Sequence, residues 1–313
     1  MESDRLCKKG LEQIKLQRYE AAAKLFEKAA GLSPRKANFQ YLAGLAYSKA
    51  NAHDNARGAL AKAVLITPAL DPVHLKASNL LSEKYGLFPY SCLRSIFNKS
   101  AIVRWSETAM PLTIYISDGR LLTKNYTDHT LDLTEASELA LAARNASFTN
   151  GLPISKKYDS ECDNQIRQGF ELWNWAQKEG LLSYQFSSEA ENADLLVFFC
   201  DSLHHGRDAG WTYHPVNPQG DPCIIILSLE PNTRMKGIDL QAFLKTVAAH
   251  EFGHALGLEH SPYPEHLMSR SSPTARNHAG NLKPKVISES EKLTLRALYS
   301  ISSDISFHSI SHR

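Results

Sequence analysis

The segment HEFGHALGLEH, from His250 to His260, constrains this chain more than any other stretch. On a helix, His250 and His254 lie one turn apart on the same face, so both imidazoles can bind one metal ion. Gly257 follows the second histidine and can take a left-handed conformation that ends the helix. The chain can then turn and bring in His260 as a third ligand. Three protein ligands leave one tetrahedral position open, which is typical of a catalytic zinc site.

Glu251 stands beside this predicted metal site and not in its ligand set. Its carboxylate is placed to take a proton from a zinc-bound water, which becomes a nucleophile near neutral pH. We therefore predict that His250, His254 and His260 are the metal ligands and that Glu251 is the catalytic base. The competing interpretation is a buried helix with incidental histidines, and the number of spaced constraints met together disfavours it.

These residues complete the pattern H-E-x-x-H-x-x-G-x-x-H, and here the chain resembles the metzincin metalloproteases. Met268 is similar to the methionine that lies beneath the metal in metzincins. Ser261, followed by the run PEHLM, resembles the matrixin branch. The chain departs from that branch at Ser269-Arg270, where matrixins continue with Tyr-Pro, which affects the wall of the substrate pocket. The resemblance implies a zinc-dependent endopeptidase acting on protein or peptide substrates.

The first hundred residues predict a separate helical domain built from repeats. Five pairs of equivalent residues recur at a spacing of 34 positions: Gly10 and Gly44, Ala22 and Ala56, Phe26 and Leu60, Ala29 and Ala63, Pro34 and Pro68. This period resembles the tetratricopeptide repeat, and the resemblance implies a curved surface for a protein partner. A third unit, from Asp71 to about Tyr85, fits a partial repeat or a capping helix. The alternative is that the repeats only pack against the protease domain.

The order of elements in the rest of the chain is similar to that of the matrixin fold, and the resemblance implies an α+β metzincin (zincin-like) catalytic domain with a mixed, mostly parallel twisted sheet. The predicted strands are 110–117 with a turn at 118–119, 194–200, 223–229 and an edge strand at 211–214. The predicted helices are 134–146, 159–178 and 288–299, in addition to the helix that carries the histidines. Thr134 is the expected N-cap of the first of these, with Glu138 near the capping-box position. Ser288 and Glu291 form the expected capping box of the last.

These elements predict a multidomain chain in three parts. Residues 1–105 form a helical repeat domain that ends in a capping and linker segment. Residues 106–300 form the matrixin-like metalloprotease domain, with an insertion at 120–157 whose role the sequence does not define. Residues 301–313 form a serine-rich flexible tail.

A second metal site is not favoured by the residue spacing. The polar loop before the second buried strand holds five potential ligands: His204, His205, Asp208, His214 and Asp221. Matrixins bind a structural zinc in this region, but the spacing differs here and Cys223 stands where a further histidine would be needed. No dense carboxylate loop favours calcium. We therefore expect one catalytic zinc, with the loop histidines solvated.

Composition limits the partners and the compartment. The formal net charge is +2, from 35 basic and 33 acidic residues, so nothing indicates nucleic-acid binding. No apolar run is long enough for a membrane span, and the first residues lack an apolar signal core. The sequence as written is expected to be cytoplasmic, or secreted if a leader precedes it. The PRCGxPD segment that blocks zinc in matrixin precursors is absent from the sequence.

Two further functions compete with the protease. One is a catalytically silent scaffold that binds zinc and uses the repeats for protein interaction. Retention of Glu251 disfavours it, because such a remnant could lose this residue and keep its metal. The other is a hydrolase of the same chemistry that acts on a non-peptide amide. The predicted edge strand favours a peptide, which could pair with it as an added strand.

Overall fold

The computed structural model describes residues 1–96, 99–230, 240–270, 274–276 and 282–310. The chain forms two compact units. The first contains Met1–Val103, Leu258–Tyr263 and Ser288–Asp304, and the second contains Arg104–Gly257, Pro264–Ile287 and Ile305–Arg313. The units are defined by which residues contact one another, so the first unit includes two segments from late in the chain. The boundaries at residues 105 and 300 therefore stay a prediction.

The helices and strands of the described ranges follow in chain order. The helices are α1 (Glu2–Lys15), α2 (Tyr19–Leu32), α3 (Ala37–Lys49), α4 (His53–Leu65), α5 (Pro72–Tyr85), α6 (Leu133–Ala143), α7 (Ala146–Gly151), α8 (Ser160–Glu171), α9 (Asn174–Lys178), α10 (Leu240–Ala255) and α11 (Glu289–Tyr299). The strands are β1 (Arg94–Ile96), β2 (Lys99–Ala101), β3 (Val103–Trp105), β4 (Leu112–Leu121), β5 (Tyr184–Ser187), β6 (Leu195–Cys200), β7 (Gly210–Tyr213), β8 (Cys223–Ser228), β9 (Thr274–Arg276), β10 (Leu282–Pro284) and β11 (Ile305–Phe307). No described helix has the length and apolarity needed to cross a lipid bilayer.

The N-terminal region of the first unit is helical, as predicted. Helices α1 to α5 each pack against the next one along the chain, and α11 packs against α4. The first two helix pairs share one close contact at equivalent positions. A Cβ atom built on Gly10 would lie 2.6 Å from the ring of Phe26, and one on Gly44 would lie 2.6 Å from the Leu60 side chain. The contact therefore recurs with the sequence period, while the assignment to the tetratricopeptide family stays a prediction.

The second unit contains a five-stranded sheet in the order β5-β4-β6-β8-β7. Strands β5, β4, β6 and β8 run parallel to their neighbours, and β7 pairs antiparallel with β8 at the edge. All residues of β6 and β8 are buried, which explains their continuous apolar sequences. The sheet is therefore mixed and mostly parallel, as predicted. Strand β7 forms an edge close to the predicted range 211–214.

Strand β4 corrects the predicted turn at 118–119. The strand continues through these residues to Leu121, and its pairing with β6 shifts register between Ile116 and Leu121. Gly119 has a φ of 69°, a conformation that suits glycine. The glycine therefore does mark an irregular point in the backbone. The chain forms a bulge and not a chain reversal because Leu121 pairs again with Phe199 of β6.

The start of α6 also differs from the prediction, because Asp132 is the N-cap and not Thr134. The Asp132 carboxylate accepts hydrogen bonds from the backbone N–H groups of Thr134 and Glu135, at 2.8 and 2.9 Å. Glu135 accepts in return from the Asp132 N–H at 2.9 Å. A capping box needs its acidic residue three positions after the cap, a spacing that Thr134 and Glu138 do not have. For α11, the predicted box of Ser288 and Glu291 is confirmed.

The helix predicted over 159–178 is two helices, α8 and α9. The break falls around Trp173, whose side chain is fully buried. Its indole Nε1–H donates to the carbonyl oxygen of Ala249 in α10, at 3.0 Å. A buried indole N–H needs an acceptor, and this bond supplies it at the point where the two helices meet. Trp105 makes a similar bond of 2.9 Å to the carbonyl of Ala255, the last residue of α10.

The segment predicted as a flexible tail contains the strand β11. This strand pairs with β3, and the Ser106 N–H donates to the Phe307 carbonyl at 2.9 Å. Phe307 is buried and its ring centroid lies 5.4 Å from that of Trp105. Burial of this aromatic side chain gives the segment a reason to pair, which a serine-rich composition does not reveal.

Candidate metal centre

Helix α10 carries the first two histidines of the predicted site. Its buried residues recur at helical spacing, and it packs against α8, β7 and β8. His250 and His254 lie one turn apart with their ring centroids 4.7 Å apart, and their Nε2 atoms are separated by 3.1 Å. Helix α10 ends at Ala255, and Gly257 follows with a φ of 101°. This turn of the backbone takes the chain towards His260, as the sequence predicts.

The structure brings His250, His254 and His260 into one group. One ligand atom from each of them lies within 4.8 Å of the other two. The Nδ1 atom of His250 donates to the carbonyl oxygen of Leu267 at 2.7 Å, because a carbonyl can only accept. This bond fixes the tautomer and leaves the lone pair on Nε2, which faces His254. The arrangement suits a cation held by imidazole nitrogens.

The chemistry of this donor set fits zinc. Burial lowers the pKa of His250 to about 4, so its imidazole stays neutral and can ligate a metal at neutral pH. Three imidazoles with one remaining tetrahedral position are a known catalytic zinc arrangement. Within the described ranges, this is the one cluster of three or more histidine, cysteine or acidic residues with metal-binding geometry. We therefore take zinc as the ion that these residues fit best.

Glu251 is buried, and its carboxylate has a partner that the sequence did not reveal. The Thr212 hydroxyl of β7 lies 2.7 Å from Oε2 of Glu251 and 3.0 Å from the Glu251 carbonyl oxygen. Burial raises the pKa of Glu251 to about 8, and the hydrogen bond from Thr212 opposes this rise. The carboxylate therefore lies in a shielded environment with one directed donor. Alternation of side chains along the edge strand is the signal that could have identified Thr212.

The methionine turn lies close under α10. Met268 is fully buried, and a Cβ atom on Gly253 would meet its sulfur at 2.4 Å, so the two residues touch. Lys285, which the sequence did not single out, donates to the carbonyl of Pro264 at 2.6 Å and to Oγ of Ser269 at 3.1 Å. Ser269, where the chain departs from the matrixin pattern, is therefore part of a hydrogen-bonded turn.

Among the described residues, the loop considered for a second zinc does not bring three or more of its candidate ligands together. His204 Nδ1 lies 2.6 Å from Asp208 Oδ2, while His214 Nε2 donates to the carbonyl of His254 at 2.8 Å. Asp221 accepts from the N–H of Asn217 at 2.9 Å. His205 is exposed. No disulfide joins any of the five cysteines, all of which lie in the described ranges.

The sheet order and the histidine group define a class before any comparison. Four features together are typical of a metzincin. They are a parallel sheet with one antiparallel edge strand, a helix with two histidines, a glycine turn and a third histidine. Residues 149–293 match the model of the matrixin family, Peptidase_M10. The chain thus carries a matrixin-like metzincin segment.

A curated relative supports this assignment. Matrix metalloproteinase-25 from the mouse (Mus musculus) is 31% identical to this chain over 106 residues. The alignment covers 30% of the chain and 17% of that relative. The match is therefore local, and it leaves the function of the whole chain to be argued from its own residues.

Proposed function

We propose that this protein is a zinc-dependent endopeptidase that hydrolyses peptide bonds in protein substrates. The observation that carries the proposal is the grouping of His250, His254 and His260 on and after the helix that also holds the buried Glu251. A ligand group without a base would suit a structural metal. A base next to an open three-histidine site suits hydrolysis.

The proposed mechanism assigns one role to each of these residues. A zinc ion held by the three histidines would supply Lewis-acid polarisation of a water molecule and of the scissile carbonyl. Glu251 accepts the proton that the attacking water loses, and it then delivers this proton to the departing amine nitrogen. The Leu267 carbonyl holds His250 in the tautomer that ligation requires.

Strand β7 is the proposed alignment surface for the substrate backbone. It lies at the edge of the sheet, and among the described strands it pairs with β8 alone. A peptide could add to its outer side as a further strand, with main-chain hydrogen bonds that do not depend on side-chain identity. This arrangement favours a peptide over a small non-peptide amide.

We also propose that the N-terminal helices bind a protein partner or recruit the substrate. The recurrence of one glycine contact in two helix pairs supports a repeat architecture, which usually serves protein binding. A substrate cleaved more efficiently as a whole protein than as a short peptide around the same bond would support recruitment. Equal efficiency for the two forms would count against it.

The decisive experiment measures cleavage of a diverse peptide library by the zinc-loaded protein. We expect cleavage by the parent and a loss of about a hundredfold or more in Glu251→Ala at matched zinc content, because a general base typically contributes that much. A chelator should abolish cleavage, and added zinc should restore it. If the zinc-loaded parent cleaves nothing, the silent scaffold becomes the better interpretation. If Glu251→Ala cleaves equally well, the activity belongs to a contaminant or to another site.

A further inference from the structure

Two residues of strand β7 face the side chain of Glu251. Side chains alternate between the faces of a strand, so Gly210 and Thr212 share one face and Trp211 and Tyr213 share the other. The second pair packs against the hydrophobic cluster on the far side of the sheet. Thr212 contacts Glu251 directly, and Gly210 lies against it. The edge strand therefore presents its first and third residues to the proposed base.

Gly210 leaves the space that the Glu251 side chain occupies. A Cβ atom at this position would lie 2.7 Å from Cγ and 2.8 Å from Oε1 of Glu251, and 2.8 Å from Cγ1 of Val247. Contacts this short force the neighbours to move. Any larger residue at position 210 would therefore displace the carboxylate from its observed position.

The Thr212 hydroxyl supplies a directed contact at the other oxygen. It has one hydrogen, and both nearby atoms of Glu251 are acceptors, the carboxylate Oε2 at 2.7 Å and the carbonyl oxygen at 3.0 Å. The shorter contact is the one to the carboxylate. Hydrogen bonds to charged groups are the stronger kind, and a buried carboxylate that lacks one pays for its desolvation.

We propose that Thr212 is a positioning residue for Glu251, which it holds through the side-chain hydrogen bond, with Gly210 leaving the room that this position needs. The inference rests on the proposed role of Glu251 as the base. It adds that the strand proposed to align the substrate also fixes the group that accepts the proton. Strand β7 then sets both the register of the substrate backbone and the position of the Glu251 carboxylate.

The kinetic test replaces Thr212 with valine and with serine. Valine keeps the shape of threonine without the hydroxyl, and we expect kcat to fall about tenfold or more with KM changed less than about twofold. Serine keeps the hydroxyl and should restore kcat to within about threefold of the parent. Thr149→Val is the matched control, because it removes a buried hydroxyl that donates to the Ala143 carbonyl on a different element. Equal kcat values for the valine variant and the parent would overturn the inference.

A second readout does not depend on activity. In the metal-free protein, Thr212→Val should lower the urea midpoint of the parent but have a clearly smaller effect in the Glu251→Ala background, because the carboxylate it serves is gone. If Thr212→Val lowers the urea midpoint equally in the parent and in the Glu251→Ala variant, the proposed contact between Thr212 and Glu251 is overturned. A zinc-loaded parent that cleaves no peptide would instead overturn the proposed function, and the urea comparison would still decide whether Thr212 and Glu251 are coupled.

Discussion

At the scale of single residues, the site depends on atoms that touch across long stretches of sequence. The ligand pattern from His250 to His260 could be predicted because helix geometry and one glycine fix it locally. The contacts that orient it could not. Leu267 and Lys285 lie many positions away from the residues they hold, and Thr212 reaches Glu251 from a strand 39 positions earlier. Only the folded chain brings such pairs together.

Gly210 gives a test at this scale. We expect Gly210→Ala to lower kcat for peptide cleavage by about tenfold or more, because the new methyl group would displace the Glu251 carboxylate. Zinc content should stay at the parent level, since the residue is not a ligand. Gly151→Ala is the matched control, because a Cβ atom there would meet no atom within 4 Å. A Gly210→Ala variant as active as the parent would show that Glu251 tolerates the displacement.

At the scale of helices and strands, the local sequence predicts that an element is present better than it predicts where that element begins and ends. The Ser288 capping box and the buried strands β6 and β8 follow from the sequence because cap geometry and complete burial leave clear patterns. Strand β4 runs past its glycine because it pairs with β6, and the helix before β5 breaks where Trp173 reaches α10. Both deviations lie at tertiary contacts, which a local pattern cannot contain.

The repeated glycine contact gives a test at this scale. Gly44→Ala should destabilise the protein by about 1–3 kcal/mol, because the added methyl group overlaps the Leu60 side chain. Gly58→Ala, in the partner helix α4, meets no atom within 4 Å and should instead stabilise it by about 0.5–1 kcal/mol through helix propensity. Urea unfolding followed by circular dichroism measures both. Equal effects of the two substitutions would mean that the helix pair tolerates a wider spacing.

At the scale of the whole molecule, the compact units do not follow the order of the chain. The segment Leu258–Tyr263, which contains the third histidine, groups with the N-terminal helices. Within that unit, Arg94 Nε donates to Oε1 of Glu259 at 2.5 Å, and both side chains are partly buried. Glu259 directly precedes His260. The N-terminal region is thus part of the support of a proposed metal ligand, a role that the predicted capping and linker segment at the end of residues 1–105 does not suggest.

Zinc affinity tests this support. We expect Arg94→Ala to weaken zinc binding by a few-fold, up to about fivefold, because a partly buried ion pair is worth up to about 1 kcal/mol. Competition with a chelator of known affinity measures the change. Arg57→Ala is the control, because Arg57 pairs on the surface with Asp54 in α4. Identical affinities of the two variants would show that Glu259 holds its segment without Arg94.

The tryptophan contacts with α10 have a practical consequence for spectroscopy. All four tryptophans, Trp105, Trp173, Trp175 and Trp211, belong to the second unit. Excitation at the red edge of the protein absorption band therefore reports on that unit alone, and two of the emitting rings are bonded to the helix that carries the histidines. Far-ultraviolet signals come mainly from helices, which both units contain. The chain thus has a built-in optical label by which melting of the sheet unit can be followed separately from melting of the helical one.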